Sequence, residues 1–205
     1  MTKQQERTER STRALLDAAG AIIVEEGFAA MTFAKIGERA GYSRGLVTAR
    51  FGSKEGLVET LIDLIVNGWS HKNVIPATKG ADGIDGVETL IMSIRRQIAR
   101  DDTGVKVLYA LMFESLGHDV ALKERFSRLH HTMRRDFAGM VRQGIRDGTI
   151  RPDVDPKREA VLIISGLRGI GYQWLLDQGR FDPLPALDYL AQTTVDRLVA
   201  DKDAQ

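Results

Sequence analysis

The chain has 205 residues, 43% of them hydrophobic, enough for a sizeable core in one large domain or two small ones, which excludes a disulfide-stapled miniprotein or a disordered tail. Lys and Arg number 29 against 28 Asp and Glu, a net charge of +1. No global excess of charge draws it to nucleic acid, anionic membrane or acidic substrate, so any such binding must come from a local patch.

Cysteine is absent, which removes disulfides, thiolate zinc sites, iron–sulfur clusters and cysteine nucleophiles together. The polar start, Met1 to Arg13, has no apolar run of the kind a signal peptide needs. The longest apolar stretches, such as Leu61 to Val66, fall far short of the roughly 20 residues of a membrane span. The expectation is a cytoplasmic protein with no membrane partner.

Helical spacing recurs from end to end, with few alternating runs, so the fold class is all-α. Leu15, Ala18, Ala19, Ile22 and Ile23 mark one face of a helix over Thr8 to Glu26, stopped by Gly27. Phe33 to Ala40 reads as a short helix capped by Thr32 and ended by Gly41; Arg44 to Phe51 reads as another, capped by Ser43 and ended by Gly52. Ser53 caps a longer helix that runs to Trp69 with apolar residues on two sides, the expected connector between the N-terminal helices and the C-terminal ones. Asn73 to Gly86 reads as a loop. Five further helices are predicted over Val87–Arg100, Val105–Leu116, Asp119–Asp147, Pro156–Gln178 and Pro185–Ala200.

Residues 32 to 51 thus form helix, glycine-containing turn, helix, which is helix-turn-helix spacing. The second helix is expected to expose Arg44, Thr48, Ala49 and Arg50, with Val47 and Phe51 inward. Gly45, Thr48 and Ala49 are small enough for close approach to base edges, a Thr methyl can touch a thymine methyl, and Arg can address guanine or phosphate. The Ser43 hydroxyl and the helix N-terminus suit a phosphate oxygen. The basic residues Lys3, Arg7, Arg10 and Arg13 fit either a DNA-tracking arm or a frayed helix start.

The run Thr32-Phe-Ala-Lys-Ile-Gly-Glu-Arg-Ala-Gly-Tyr-Ser-Arg-Gly45, followed by Phe51-Gly-Ser-Lys-Glu-Gly-Leu57, resembles the N-terminal signature of TetR-family transcriptional regulators. The resemblance covers the first quarter to third of the chain; beyond it only length and helical plan are similar. It implies an all-α homodimer that binds a palindromic DNA operator and lets go when a small molecule occupies the C-terminal core. Residues 1–52 would form the DNA-binding domain and 53–205 the ligand-binding and dimerisation domain. Thr32, Tyr42, Ser43, Arg44, Gly45, Thr48, Ala49, Arg50 and Lys54 would face DNA. Where the family usually carries a tyrosine and, two residues on, a histidine or tyrosine, this chain has Thr48 and Arg50, and Arg50 and Lys54 are expected to take over part of the phosphate binding.

In the C-terminal region Leu122, Phe126, Leu129, Met133, Phe137, Met140 and Gly144 step along one helix face. Phe126, His130, Met133 and Phe137, with Trp69, Tyr109, Met112 and Phe113, are the candidate ligand pocket. A largely apolar effector is expected, anchored by Tyr109 or His130. The arginines of the same helix, Arg125 among them, read as solvated surface.

The penultimate helix holds Gly166, Gly169 and Gly171, each costing about 1 kcal/mol against alanine, which some close packing should offset. Gly166, Gly169, Ile170 and Trp174, with Leu187, Leu190, Thr194 and Leu198 of the final helix, are the candidate dimer interface. Glu114 and His118 supply only two of the ligands a metal site needs, and the common phosphate-loop, dinucleotide and serine-elbow templates are absent. No catalysis, metal or cofactor is expected. A helical adaptor that binds protein and not DNA is the alternative.

Overall fold

The computed structural model describes residues 2–70, 83–177 and 179–199. Nine α-helices are found among these: α1 (Lys3–Glu26), α2 (Phe33–Ala40), α3 (Arg44–Phe51), α4 (Lys54–Trp69), α5 (Gly83–Arg100), α6 (Thr103–Glu114), α7 (Val120–Asp147), α8 (Pro156–Leu176) and α9 (Pro183–Leu198). A 3-10 turn, Phe28–Ala30, joins α1 to α2. No strand occurs among the described residues; Ile150 and Val199 form one isolated bridge.

Helix α1 begins five residues before the expected start because Thr2 and Gln5 form a reciprocal capping box. Lys3, Arg7, Arg10 and Arg13 therefore ride exposed on a regular helix and not on an extended arm. Asp182 caps α9 and sets its start at Pro183, two residues ahead of expectation. The expected loop Asn73–Gly86 is shortened by α5, which starts at Gly83; its residues up to 82 lie outside the described ones, as does Gln178.

The chain divides into two compact units. The first comprises Met1–Gly68 and Thr103–Phe126. Its core is built on α1, whose Leu15, Leu16, Ala18, Ala19, Ile22 and Ile23 are all buried and which packs on α2 and α6. Gly20 of α1 lets Val107 of α6 approach so closely that a Cβ would lie 3.3 Å from it. Ile36, Val47, Leu57 and Ile62 carry the core into the next three helices.

The second unit comprises Trp69–Asp102 and Ser127–Gln205. Val87 and Ile91 of α5, Phe137 and Val141 of α7, Ile163 and Leu167 of α8, and Leu187 and Leu198 of α9 meet in one core. Arg95 of α5 grips Asp188 of α9 through two nitrogens at 2.7 and 3.1 Å, and Arg197 of α9 holds Glu159 of α8 at 2.6 Å. Helices α4 and α6 fall in the same compact unit as α1.

Candidate nucleic-acid interface and ligand region

The turn between α2 and α3 is fixed by backbone chemistry. Gly41 adopts the left-handed conformation, φ 74° and ψ 30°, which a side chain would disfavour. There the Gly41 N–H donates to Glu38 O at 3.2 Å and the Tyr42 N–H to Gly37 O at 2.7 Å, the paired closure of a Schellman motif. Gly37 is the point of closest approach: a Cβ there would lie 2.7 Å from Tyr42 O and 3.1 Å from Arg44 N. The two N-caps serve as expected, Thr32 Oγ1 accepting from the Lys35 N–H at 3.3 Å and Ser43 Oγ from the Leu46 N–H at 3.2 Å.

This turn presents one face of α3 outward. Ser43, Arg44, Gly45, Thr48 and Ala49 are exposed, as are Thr32 and Tyr42, while Val47 is fully buried. The Arg44 side chain makes no ion pair or hydrogen bond among the described residues, leaving its guanidinium available. On α2, in contrast, Arg39 forms a bidentate pair with Glu25 at 2.6 and 2.7 Å, and Lys35 reaches Glu26 at 2.6 Å. The Arg39 hydrogen bonds hold the Glu25 carboxyl below its usual range. These pairs are exposed and contribute little to stability, but they neutralise the charge beside the α3 face.

Arg50 and Lys54, expected to take over part of the phosphate binding, both engage their own chain. Arg50 turns back onto α1, donating to Thr12 Oγ1 at 2.8 Å, Thr8 O at 3.3 Å and Ser11 Oγ at 3.5 Å. Lys54 donates to Phe28 O at 3.0 Å, with its ammonium 3.9 Å from the centroid of the Phe28 ring, a cation–π geometry. Both are half-buried and tie α3 and α4 to the body of the first unit.

The candidate pocket residues fall in both compact units. Tyr109, Met112, Phe113 and Phe126 belong to the first: Tyr109 and Phe126 are buried, Met112 half-buried and Phe113 exposed, its ring 6.3 Å from that of Tyr109. His130, Met133 and Phe137 belong to the second, along one face of α7, and only Phe137 is fully buried. The side chain of Trp69 lies outside the described residues.

Two groups escaped the sequence reading. Arg125 is not solvated: its side chain is only 15% exposed and forks between Glu59 at 2.9 Å and Asp63 at 2.5 Å, both on α4. Arg168 of α8 places a terminal nitrogen 3.2 Å from Met133 Sδ. It stands four residues after Ile164 and three before Gly171, on the buried stripe of α8, a placement that would have singled it out.

Residues 15–61 match the profile described as bacterial regulatory proteins of the tetR family, and residues 87–200 match that of the BetI-type transcriptional repressor C-terminal region. The chain belongs to the TetR family. It is thus a member of a family of DNA-binding transcriptional regulators. The transcriptional repressor KstR2 of Rhodococcus jostii is 29% identical over 144 residues, 69% of this chain and 68% of that one. The transcriptional regulator TtgR of Pseudomonas putida is 23% identical over 97% of this chain and 96% of its own. In fold, a regulator of Saccharomonospora viridis solved in complex with choline superposes with a TM-score of 0.81 at 17% identity, covering 94% of this chain and all of that one.

In this TetR-family chain the candidate dimer residues divide between interior and surface. Trp174, Leu187, Thr194 and Leu198 are buried within the second unit, three of them at 1% exposure or less. Gly166 packs against its own chain, since a Cβ there would meet Leu190 Cδ1 at 2.7 Å. Ile170 and Leu190 are half-buried against the same core, whereas Gly169 faces open space. The apolar groups that α8 and α9 leave exposed are others: Val161, Leu162, Tyr172, Leu176 and Tyr189, the last two at 68% and 73% exposure.

Proposed function

We propose that this chain is a ligand-responsive repressor that binds a pseudo-palindromic operator as a homodimer and releases it when a small effector binds. The observation that carries the reading is the outward face of α3. Exposed Arg44, Gly45, Thr48 and Ala49 follow a glycine-closed turn, small residues beside an available guanidinium, which suits entry into a major groove. Arg44 is the base- or phosphate-reading cation, and Ser43 and Tyr42 lie beside the backbone. Arg50 and Lys54 act chiefly by holding α3 and α4 in register, which narrows the part first expected of them.

Dimerisation uses the exposed stripe of α8, with Leu162, Gly169, Tyr172 and Leu176, together with Tyr189 of α9. Two recognition helices would then enter successive major grooves about 34–36 Å apart or somewhat further. The functional division stays at residues 1–52 for DNA and 53–205 for effector and partner, with α4 carrying movement between them. The effector is small and largely apolar, in keeping with the Met133 and Phe137 face of α7; that a regulator of similar fold was solved in complex with choline supports a small-molecule effector. No cofactor is required, and the protein acts in the cytoplasm.

A fluorescence-anisotropy titration against fragments flanking its own gene, at two salt concentrations with competitor DNA, tests this. Selective binding that weakens steeply with salt, at two chains per site, is expected. Absence of selective binding to any fragment, or a monomer at micromolar concentration, would return the chain to the adaptor reading.

A further inference from the structure

In the second compact unit one polar cluster sits among apolar side chains. His130, Met133 and Phe137 follow one another at i, i+3 and i+7 on α7 and so share a face. Arg168 crosses from α8 to reach Met133 Sδ at 3.2 Å, and its Nε is shielded from solvent. His130 Nε2 is shielded as well, and it has no hydrogen-bond partner among the described residues. A buried ring nitrogen in that state has given up water for nothing, and such atoms are rare enough in folded proteins to ask for a reason.

The charge around the ring narrows the reason. Burial first, then the Arg168 guanidinium and Arg134, hold the imidazolium down to a pKa of about 4. At neutral pH the ring is therefore an uncharged hydrogen-bonding group in a field set by two cations. A quaternary ammonium could lie against the Phe137 ring, but the charges that act on His130, Arg168 and Arg134, would repel it. A planar guanidinium beside a neutral donor matches a carboxylate, and Met133 is a side chain that adapts to an apolar body.

We propose that Arg168 and His130 are the polar anchor of a binding site for a small organic anion with an apolar body. Arg168 takes the anionic group, His130 donates a hydrogen bond from Nε2, and Met133 and Phe137 lie against the apolar part. The inference deepens the effector-binding reading above and rests on it.

The test uses the full-length protein and six probes: octanoate, octan-1-ol and octyltrimethylammonium, and the same three head groups on a 4-phenylbutyl chain. Thermal shift and calorimetric titration should show the two acids binding at least about tenfold more tightly than the alcohols, with the ammonium compounds not binding. Arg168→Met should weaken the acids by about tenfold to a hundredfold and leave the alcohols unchanged. Arg168→Lys should retain part of the preference, and His130→Phe should lose a smaller factor. Circular dichroism and ligand-free melting check each fold, and the Lys and His130 variants carry the test if Arg168→Met does not fold. Alcohols or ammoniums equal to the acids, no binding by any of the six, or acid affinity unmoved by the Arg168 and His130 variants would overturn the assignment. Operator titration separates the two readings. A chain that binds operator and is released by a cation keeps the repressor reading and loses this site, and a chain that binds the acids but no operator does the reverse.

Discussion

Replacing Arg50 by alanine distinguishes a phosphate contact from a latch. In the structure its guanidinium donates to Thr12 Oγ1 at 2.8 Å and to Thr8 O at 3.3 Å, in a half-buried setting. Charge-assisted bonds contribute about 1.5–3 kcal/mol each when well formed. With one good bond and one long one, partly screened by solvent, a loss of about 1–2 kcal/mol is expected. For a chain of this length that lowers the melting temperature by roughly 3–6 °C. DNA affinity should fall as well, because α3 is no longer held against α1, yet the dependence of affinity on salt should keep its slope. A phosphate contact behaves otherwise: its loss lowers the slope by about 0.9 per contact, or about 1.8 for a dimer, with little effect on melting. Melting by circular dichroism and anisotropy titrations from 50 to 300 mM salt make both measurements. A variant that melts like the parent but loses about two units of salt slope would refute the latch. A double-mutant cycle with Thr12→Val should show a coupling of about 0.5–1.5 kcal/mol.

Two further substitutions probe the turn and the buried ring. Gly37→Ala places a methyl group 2.7 Å from Tyr42 O, a backbone atom that cannot swing aside; it should cost about 1–3 kcal/mol in denaturant melts and reduce operator affinity, and an unchanged midpoint would show that the turn can relax. His130→Phe tests pH. The folded state holds the His130 pKa at about 4 against an ordinary 6.5, so the unfolded chain takes up that proton first. The associated stability is therefore complete above pH 6.5 and lost progressively as pH falls towards 4. The variant should show a shallower loss than the parent over that range, and parallel curves would count against a desolvated ring.

The helix-turn-helix was legible because its signals are local. Thr32, Gly41 and Ser43 each act within five residues of their own position, and cap and turn chemistry is readable at that range. The burial of Leu15, Ala19 and Ile22 followed from helical spacing alone. Arg50 lies on the expected helix, but its contacts with α1 were not legible, since its partners lie 38 to 42 residues away and a long side chain can turn to either side of its helix. The dimer candidates on the last helix show a related effect. Leu187, Thr194 and Leu198 form the clearest stripe on the last helix, and all three are buried within their own protomer. The apolar residues left exposed form the weaker pattern, here Leu162, Tyr172, Leu176 and Tyr189, which periodicity ranks below it.

Arg125 tests whether an arginine that reads as surface can hold a unit together. Its position in a basic, amphipathic helix suggested solvent, but Glu59 and Asp63 stand one turn apart on α4 and offer a carboxylate to each arm of the fork. Removing a fully buried partner costs about 3–5 kcal/mol, because an isolated charge is stranded out of water. Here the strandable groups are accessible, Glu59 and Asp63 side chains being 45% and 57% exposed, so both can rehydrate. The remaining cost is the lost attraction plus the repulsion of two like charges four residues apart on one helix. Arg125→Ala should therefore cost about 1–2 kcal/mol, and Arg125→Met, which keeps the packing of the stem, somewhat less. Raising salt from 0.05 to 0.5 M should narrow the gap between parent and variant, since screening weakens the bridge and the repulsion together. A gap that is unaffected by salt would assign the cost to packing of the stem, and no gap at all would mean that the fork is as dispensable as an exposed ion pair.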